Sequence, residues 1–216
     1  MGPDRQTRSL QLWGVGTSRT IRPIWTAEEL GLSYDLVPIG PRTGATQDPG
    51  YLEKNPRGKI PYMIDGDFGL AESVAISRYL IDQYGEGGGL DRPQSAKDRA
   101  RADEWCCFVL AELDETSLYI LRRHGELKHI YGEAPAAVES ARRYCAQMFE
   151  AAAKLLVGPY AVGERFGLPD IMLMTCLTWA ERVNVALPSR IAAYGARIAD
   201  RPAYRRARTI NAQPQR

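Results

Sequence analysis

Three short stretches carry residue types that could do chemistry. Thr17-Ser18-Arg19-Thr20 lies between an apolar run and a helical period, a place where hydroxyls cap the free amides of a helix. A hydroxyl there can also donate to a thiolate, and with the helix dipole it would draw the pKa of a bound thiol from about 8.5 toward neutrality. Glu72-Ser73 precedes a second helical period; it caps that helix, and the same unpaired amides make an anion site suited to a carboxylate. Ile60-Pro61 opens an apolar run after Gly58-Lys59. A proline there cannot donate to a sheet ladder, so it sits at an edge or in a cis turn. In a cis turn the preceding residue offers its backbone N–H and C=O as a template for an extended peptide.

What the chain lacks narrows that chemistry. The cysteines are Cys106, Cys107, Cys145 and Cys176, with none in the first 105 residues. Any thiol handled at Thr17 or Ser18 therefore arrives with a ligand, which excludes a glutaredoxin-type redox enzyme using its own sulfur. With no C-x-x-C and only His124 and His129 in a polar stretch, neither a disulfide framework, a zinc site nor a histidine triad is signalled, and the cysteines read as reduced core residues. Lys and Arg number 28 against 26 Asp and Glu, a net charge of +2, which leaves no electrostatic footprint for nucleic acid. The apolar stretches, such as Ile171 to Ala180, fall short of the roughly 20 residues that span a bilayer. The start Met1-Gly2-Pro3-Asp4-Arg5 lacks a signal-peptide apolar core. The expected address is the cytoplasm, with no membrane partner.

The elements that must position these residues differ between the two halves. Leu10 to Val15 reads as a buried strand, Ile21, Ile24, Trp25 and Leu30 as a helix stopped by Gly31, and Tyr34 to Ile39 as a second strand. A polar excursion from Gly40 to Gly50 leads into a short helical turn at Tyr51-Leu52-Glu53-Lys54. Ile60 to Ile64 and Phe68 to Ala71, joined through Asp65-Gly66-Asp67, read as a hairpin, followed by a helix with Val74, Ile76, Tyr79, Leu80 and Ile81. The order is β-α-β-α-β-β-α. The glycines of Gly85-Glu86-Gly87-Gly88-Gly89 break that helix at about 1 kcal/mol each and mark a boundary. Beyond it Ala102, Trp105, Cys106, Val109, Leu113 and Leu118, then Val138, Ala141, Cys145, Phe149 and Leu156, recur at helical spacing, with further helices starting near Pro169, Ser189 and Pro202. The reading is an α/β domain over residues 1–86 and an all-α domain over 87–216, the latter ending in a basic helix face with Arg201, Arg205, Arg206, Arg208 and Arg216.

Asn55-Pro56-Arg57-Gly58-Lys59-Ile60-Pro61-Tyr62-Met63-Ile64-Asp65-Gly66-Asp67 followed by Leu70-Ala71-Glu72-Ser73-Val74-Ala75-Ile76 resembles the glutathione-binding half of the cytosolic glutathione transferases. Trp25 to Leu32 is similar to the end of that family's first helix, Phe166-Gly167-Leu168-Pro169-Asp170-Ile171 to the opening of its buried helix, and Arg201-Pro202-Ala203 to its C-terminal signature. The resemblance covers nearly the whole chain and implies a thioredoxin-like domain followed by a helical one. One departure is Gly167, where the family has the Ser or Thr of a capping box, so a weaker cap is expected.

The resemblance implies that Ile60 pairs with the cysteinyl part of glutathione beside a cis Pro61, that Glu72 and Ser73 hold its γ-glutamyl end, and that Lys59 and Gln47 face its glycyl carboxylate. For the sulfur it leaves two candidates of a Ser/Thr-type site. Counting back from Glu28-Glu29 selects Thr17, whereas the Ser18-Arg19-Thr20 pattern selects Ser18; Arg19 stands where some bacterial members place a cysteine. Trp13, Trp105, Phe108 and Tyr119 are candidates to line a pocket for an electrophilic, mainly apolar second substrate. Glutathione would be a co-substrate and no metal is implied. A homodimer is implied too, through the helix after Glu72 and the partner's helix near Arg99 to Leu118. The expectation is a glutathione transferase of detoxification type. The alternatives are a non-enzymatic interaction module or a glutathione-dependent lyase, dehalogenase, isomerase or peroxidase.

Overall fold

The computed structural model describes residues 9–86 and 88–215. The start Met1-Gly2-Pro3-Asp4-Arg5, Gly87 of the glycine-rich boundary and Arg216 of the basic tail lie outside the described residues. The chain forms two compact units, Met1–Gly89 with Pro202–Arg216, and Leu90–Arg201.

The first unit holds β1 (Leu10–Trp13), α1 (Ile21–Leu30), β2 (Asp35–Val37), α2 (Pro49–Lys54), β3 (Tyr62–Asp65), β4 (Phe68–Ala71) and α3 (Ser73–Tyr84), the order expected of a thioredoxin-like domain. The sheet runs β2-β1-β3-β4. β1 is parallel to β2 and antiparallel to β3, and β3 and β4 form the hairpin closed by Gly66-Asp67. Alternation assigns the faces. Leu10, Leu12 and Met63 are buried on one, whereas Trp13, Tyr62 and Ile64 pack on the other with Ile39 and Tyr51.

Helix α1 explains an unexpected partner. Residues Ile21 to Ala27 are all buried, so the helix is enclosed on every side rather than on one stripe. It packs against α3 and against α10 (Pro202–Asn211). Trp25 stacks on Tyr204 with ring centroids 4.5 Å apart, and Arg206 Nε pairs with Glu28 at 2.6 Å. The last helix, which the boundary at residue 87 assigns to the helical domain, thus packs in the first unit, where it covers Trp25. Gly31 ends α1 in the left-handed region at φ 65°, as its position suggests.

The second unit is helical: α4 (Ala96–Phe108), α5 (Tyr119–Leu121), α6 (Lys128–Tyr131), α7 (Pro135–Leu155), α8 (Leu168–Arg182) and α9 (Ser189–Ala199). Ser95 and Asp98 form a reciprocal cap on α4. After α4 the chain departs from the α-helix that its periodicity suggests and runs as π-helix over Val109–Leu118 and Arg122–Glu126. In the first of these, Ser117 Oγ donates to the Glu112 carbonyl five residues back. Helix α8 is the core: all residues from Leu168 to Leu177, then Trp179 and Ala180, are buried. Cys106, Cys145 and Cys176 are buried as expected, but Cys107 is exposed.

Candidate active site

Thr17 and Ser18 lie in the turn that leads into α1. Thr17 Oγ1 accepts the N–H groups of Arg19 (3.2 Å) and Thr20 (3.0 Å), and its carbonyl accepts Ile21 N–H at 3.3 Å. It is the side chain that caps the amides of the turn leading into α1, whose own N-cap residue, Thr20, makes no side-chain capping bond. Its hydroxyl hydrogen is not needed for that role. Within the unit the Thr20 hydroxyl, 3.0 Å away, can share it. Ser18, next in the chain, is half-buried and takes no part in this capping.

Ile60 stands against the same loop. The Ile60-Pro61 peptide bond is cis, which decides between the two readings of that proline. Gly14 adopts φ 109°, and a Cβ there would lie 2.6 Å from the Cβ of Ile60, so only glycine lets the two segments approach this closely. The Lys59 carbonyl just before Ile60 is held by two donors, Tyr51 Oη at 2.5 Å and Asn55 Nδ2 at 2.8 Å. Burial raises the Tyr51 pKa and keeps that hydroxyl a donor. Neither support was singled out from the sequence, although Asn55-Pro56 belongs to the stretch that carries the resemblance. Lys59 is exposed, and Gln47 is exposed with its carboxamide beside Gly58, so both stand beside the Ile60 segment.

The start of α3 combines a cap residue of unusual backbone with a buried hydroxyl and a buried cation. Glu72 is the N-cap residue by position, with φ 72° and ψ 119°, yet its carboxylate makes no capping bond, and no acidic residue occupies the first turn. Ser73 is buried. Behind it Arg22, wholly buried, donates from Nη1 to Ser73 Oγ at 3.2 Å. A buried guanidinium behind unpaired helix amides favours negative charge in front of them. Glu72, exposed, faces Arg57 at 3.3 Å, a solvated pair that contributes little to stability. No pattern in the sequence marks Arg22, because it lies inside an otherwise apolar helical period.

The aromatic candidates are placed differently from one another. Trp13 packs in the Tyr51 and Tyr62 cluster, 5.8 Å from the Tyr51 ring. In the second unit Trp105 and Phe108 stand edge to face at 6.0 Å and line a cavity of about 360 Å³ with Arg101, Glu104, Leu155 and Val157. Tyr119 is not among the residues lining it. Among the described residues no group of His, Cys, Asp and Glu could hold a metal, and no helix is long and apolar enough to cross a membrane.

A mixed four-stranded sheet that presents a cis-proline turn and an uncapped helix start, with a helical unit in the same chain, defines a class of protein, and comparison with known proteins identifies it. Residues 8–82 match the family model of the glutathione S-transferase N-terminal domain, and residues 105–202 that of its C-terminal domain. The chain is 31% identical over 214 residues to glutathione S-transferase 3 of Zea mays, covering 95% of each. It is 30% identical to the glutathione S-transferase GstB of Escherichia coli over 82% of this chain and 89% of that one. A theta class glutathione S-transferase from Xanthomonas axonopodis pv. citri, solved with glutathione bound, superposes with a TM-score of 0.79 at 28% identity, covering 93% of this chain and 97% of that one. The chain belongs to the glutathione S-transferase family and is a glutathione transferase.

Proposed function

We propose that the enzyme binds glutathione extended along Ile60 and uses the Thr17-Ser18 hydroxyl pair to stabilise its thiolate for attack on an electrophilic, mainly apolar second substrate. The observation that carries the reading is the start of α3. A γ-glutamyl group bears both a carboxylate and an ammonium. The uncapped amides, the buried Ser73 hydroxyl and the Arg22 charge behind it suit the carboxylate, while the exposed Glu72 carboxylate suits the ammonium. Bound glutathione supplies the sulfur nucleophile. The chain supplies the rest: Ile60 pairs through its backbone, Lys59 and Gln47 attract the glycyl carboxylate, and Thr17, its oxygen already drawn on by two amides of the turn before α1, donates its hydrogen toward negative charge on sulfur. Catalysis by thiolate stabilisation and positioning needs no further acid or base.

For the second substrate, Trp105 and Phe108 and the cavity they line are the candidates in the helical unit; Trp13, in its packed cluster, serves the fold as well as any pocket, and Tyr119 is kept as an outer candidate. A cytoplasmic homodimer through α3 and α4 completes the reading, and a monomer in light scattering would remove the dimer. The site is tested by replacing Thr17 and Ser18 with Ala, singly and together. The double variant is expected to lose most conjugation of chlorodinitrobenzene while still binding glutathione in calorimetric titration. Full activity in the double variant overturns the hydroxyl assignment, and absence of glutathione binding by the native chain favours an interaction module.

A further inference from the structure

The loop carrying Thr17 and Ser18 is tied down in two different ways along its length. Its first half is held by the end of β2 and the chain just beyond it: Gly14 N–H donates to the Val37 carbonyl at 2.9 Å and Val15 N–H to the Ile39 carbonyl at 3.0 Å. From Gly16 onward the tie passes to the far end of the sequence. Gly16 N–H donates to the backbone carbonyl of Asn211 at 2.9 Å and to its Oδ1 at 3.2 Å. Thr20 Oγ1 donates to the same Oδ1 at 2.7 Å, and Asn211 Nδ2 donates to the Thr17 carbonyl at 3.1 Å. One residue at the end of α10 thus uses its carbonyl and both ends of its carboxamide on the two residues that flank the Gly16–Thr17 peptide and on Thr20.

Such a clamp matters because the loop has freedom to lose. Gly16 is exposed and sits at φ 82°, a conformation in which glycine leaves the backbone mobile unless something fixes it. The tail beyond α10 adds a second contact to the same place, since the Gln215 carboxamide occupies the space that a Cβ at Gly16 or at Gly40 would need. Proton placement follows as well. With the Thr20 hydroxyl hydrogen directed to Asn211 Oδ1 at 2.7 Å rather than to the Thr17 carbonyl at 3.0 Å, the Thr20 oxygen accepts Thr17 N–H at 3.0 Å, and the Thr17 hydroxyl, also 3.0 Å away, becomes the donor of their shared contact, with a hydrogen that a bound thiolate can compete for. None of this lies in the stretch that matches the family's C-terminal model, which ends at residue 202.

We propose that Asn211 is a positioning residue for the transferase reaction, fixing the Gly16–Thr17 peptide and the Thr20 hydroxyl so that the Thr17-Ser18 pair faces the sulfur. It touches neither substrate and acts through the loop. The inference rests on the hydroxyl reading of the site given above.

The test compares Asn211→Ala, Asn211→Asp and the Thr17→Ala/Ser18→Ala double variant, each with glutathione and chlorodinitrobenzene. The readouts are the pH dependence of kcat/KM, the ultraviolet absorbance of bound thiolate, the glutathione KM and the melting curve. Asn211→Ala is expected to move the acid limb of the profile up by about one pH unit and to lower kcat about tenfold. Its glutathione KM should stay within about twofold of the native value, because Ile60, Glu72 and Ser73 are untouched. Asn211→Asp keeps the shape and the acceptors but loses the donor to Thr17 and adds negative charge near the sulfur, so its limb should move further in the same direction. Should Asn211→Ala fail to fold, the near-isosteric Asp variant carries the test. An unmoved limb in the Asn211 variants, with only the melting curve lowered, overturns the inference. An unmoved limb in the double variant alone overturns the hydroxyl reading instead and leaves Asn211 acting on the backbone of the loop.

Discussion

Glu72 holds φ 72° although it is not glycine, and a side chain in that region costs about 1–3 kcal/mol where nothing local rewards it. Its exposed pairing with Arg57 is too weakly stabilising to explain the conformation; the proposed binding mode, in which its carboxylate is held out beside the α3 amides for a ligand ammonium, would account for it. Replacing Glu72 by Gly should therefore raise folding stability by about 1 kcal/mol, the relief of strain exceeding the extra entropy of the unfolded glycine. The same change should raise the glutathione KM about tenfold or more. Denaturant unfolding and glutathione kinetics check the two halves, and a Gly variant less stable than the native protein would remove the strain argument. The chain announces Glu72, Ser73, Ile60 and Pro61 because each stands at a junction where the periodicity changes. It does not announce Arg22 or Asn211, whose roles come from partners 51 and 191 residues away and leave no trace in local spacing.

At the scale of elements, α8 shows how a missing side chain is compensated. Gly167 cannot return the capping bond, so Asp170 works alone: Oδ2 accepts Gly167 N–H at 2.8 Å, and Oδ1 accepts Ala161 N–H at 2.8 Å and Tyr194 Oη at 2.6 Å. Burial nevertheless outweighs these three donors and raises the Asp170 pKa from 3.8 to about 6. The native state then retains a proton that the unfolded chain has released between about pH 4 and pH 6. Stability from this group is present below that window and falls as pH rises through it, by up to about 3 kcal/mol. Subtracting the unfolding free energies of Asp170→Asn from those of the native protein across pH 4 to 7 should give this declining curve; a flat or rising difference would contradict it. The expected weaker cap was legible from Gly167, whereas the web around Asp170 was not, since Ala161 and Tyr194 come from separate segments. Strand and helix order was legible because alternation and 3.6-residue spacing are written locally. The π-helical run at Val109–Leu118 was not, because apolar residues three and four apart suit an α-helix equally well.

For the whole molecule, the informative feature is that the first unit is not continuous in sequence. Residues Met1–Gly89 are completed by Pro202–Arg216, and the glycine-rich break at residues 85–89 tells only where the chain leaves that unit, never that it comes back. The return is required by burial: Trp25 is 0% exposed and Tyr204, stacked on it, 2%. A chain ending at Arg201 would remove the Tyr204 ring from Trp25 and the Arg206 guanidinium from Glu28, whose carboxylate would keep the Tyr34 hydroxyl, and would expose that side of α1 to water. Losing the Tyr204 ring alone should cost about 3–5 kcal/mol by analogy with large-to-small changes at buried aromatic sites, a large part of the stability of an ordinary domain. In the truncated chain the amides of α1 and of the Thr17 loop should exchange with solvent far faster, and glutathione binding should fall, while α7 and α8, whose packing within the second unit does not involve α10, keep their protection. Hydrogen exchange resolved by segment decides the matter. If α1 stayed protected while α7 and α8 opened, α10 would be supporting the helical unit and the burial argument for its return would be wrong.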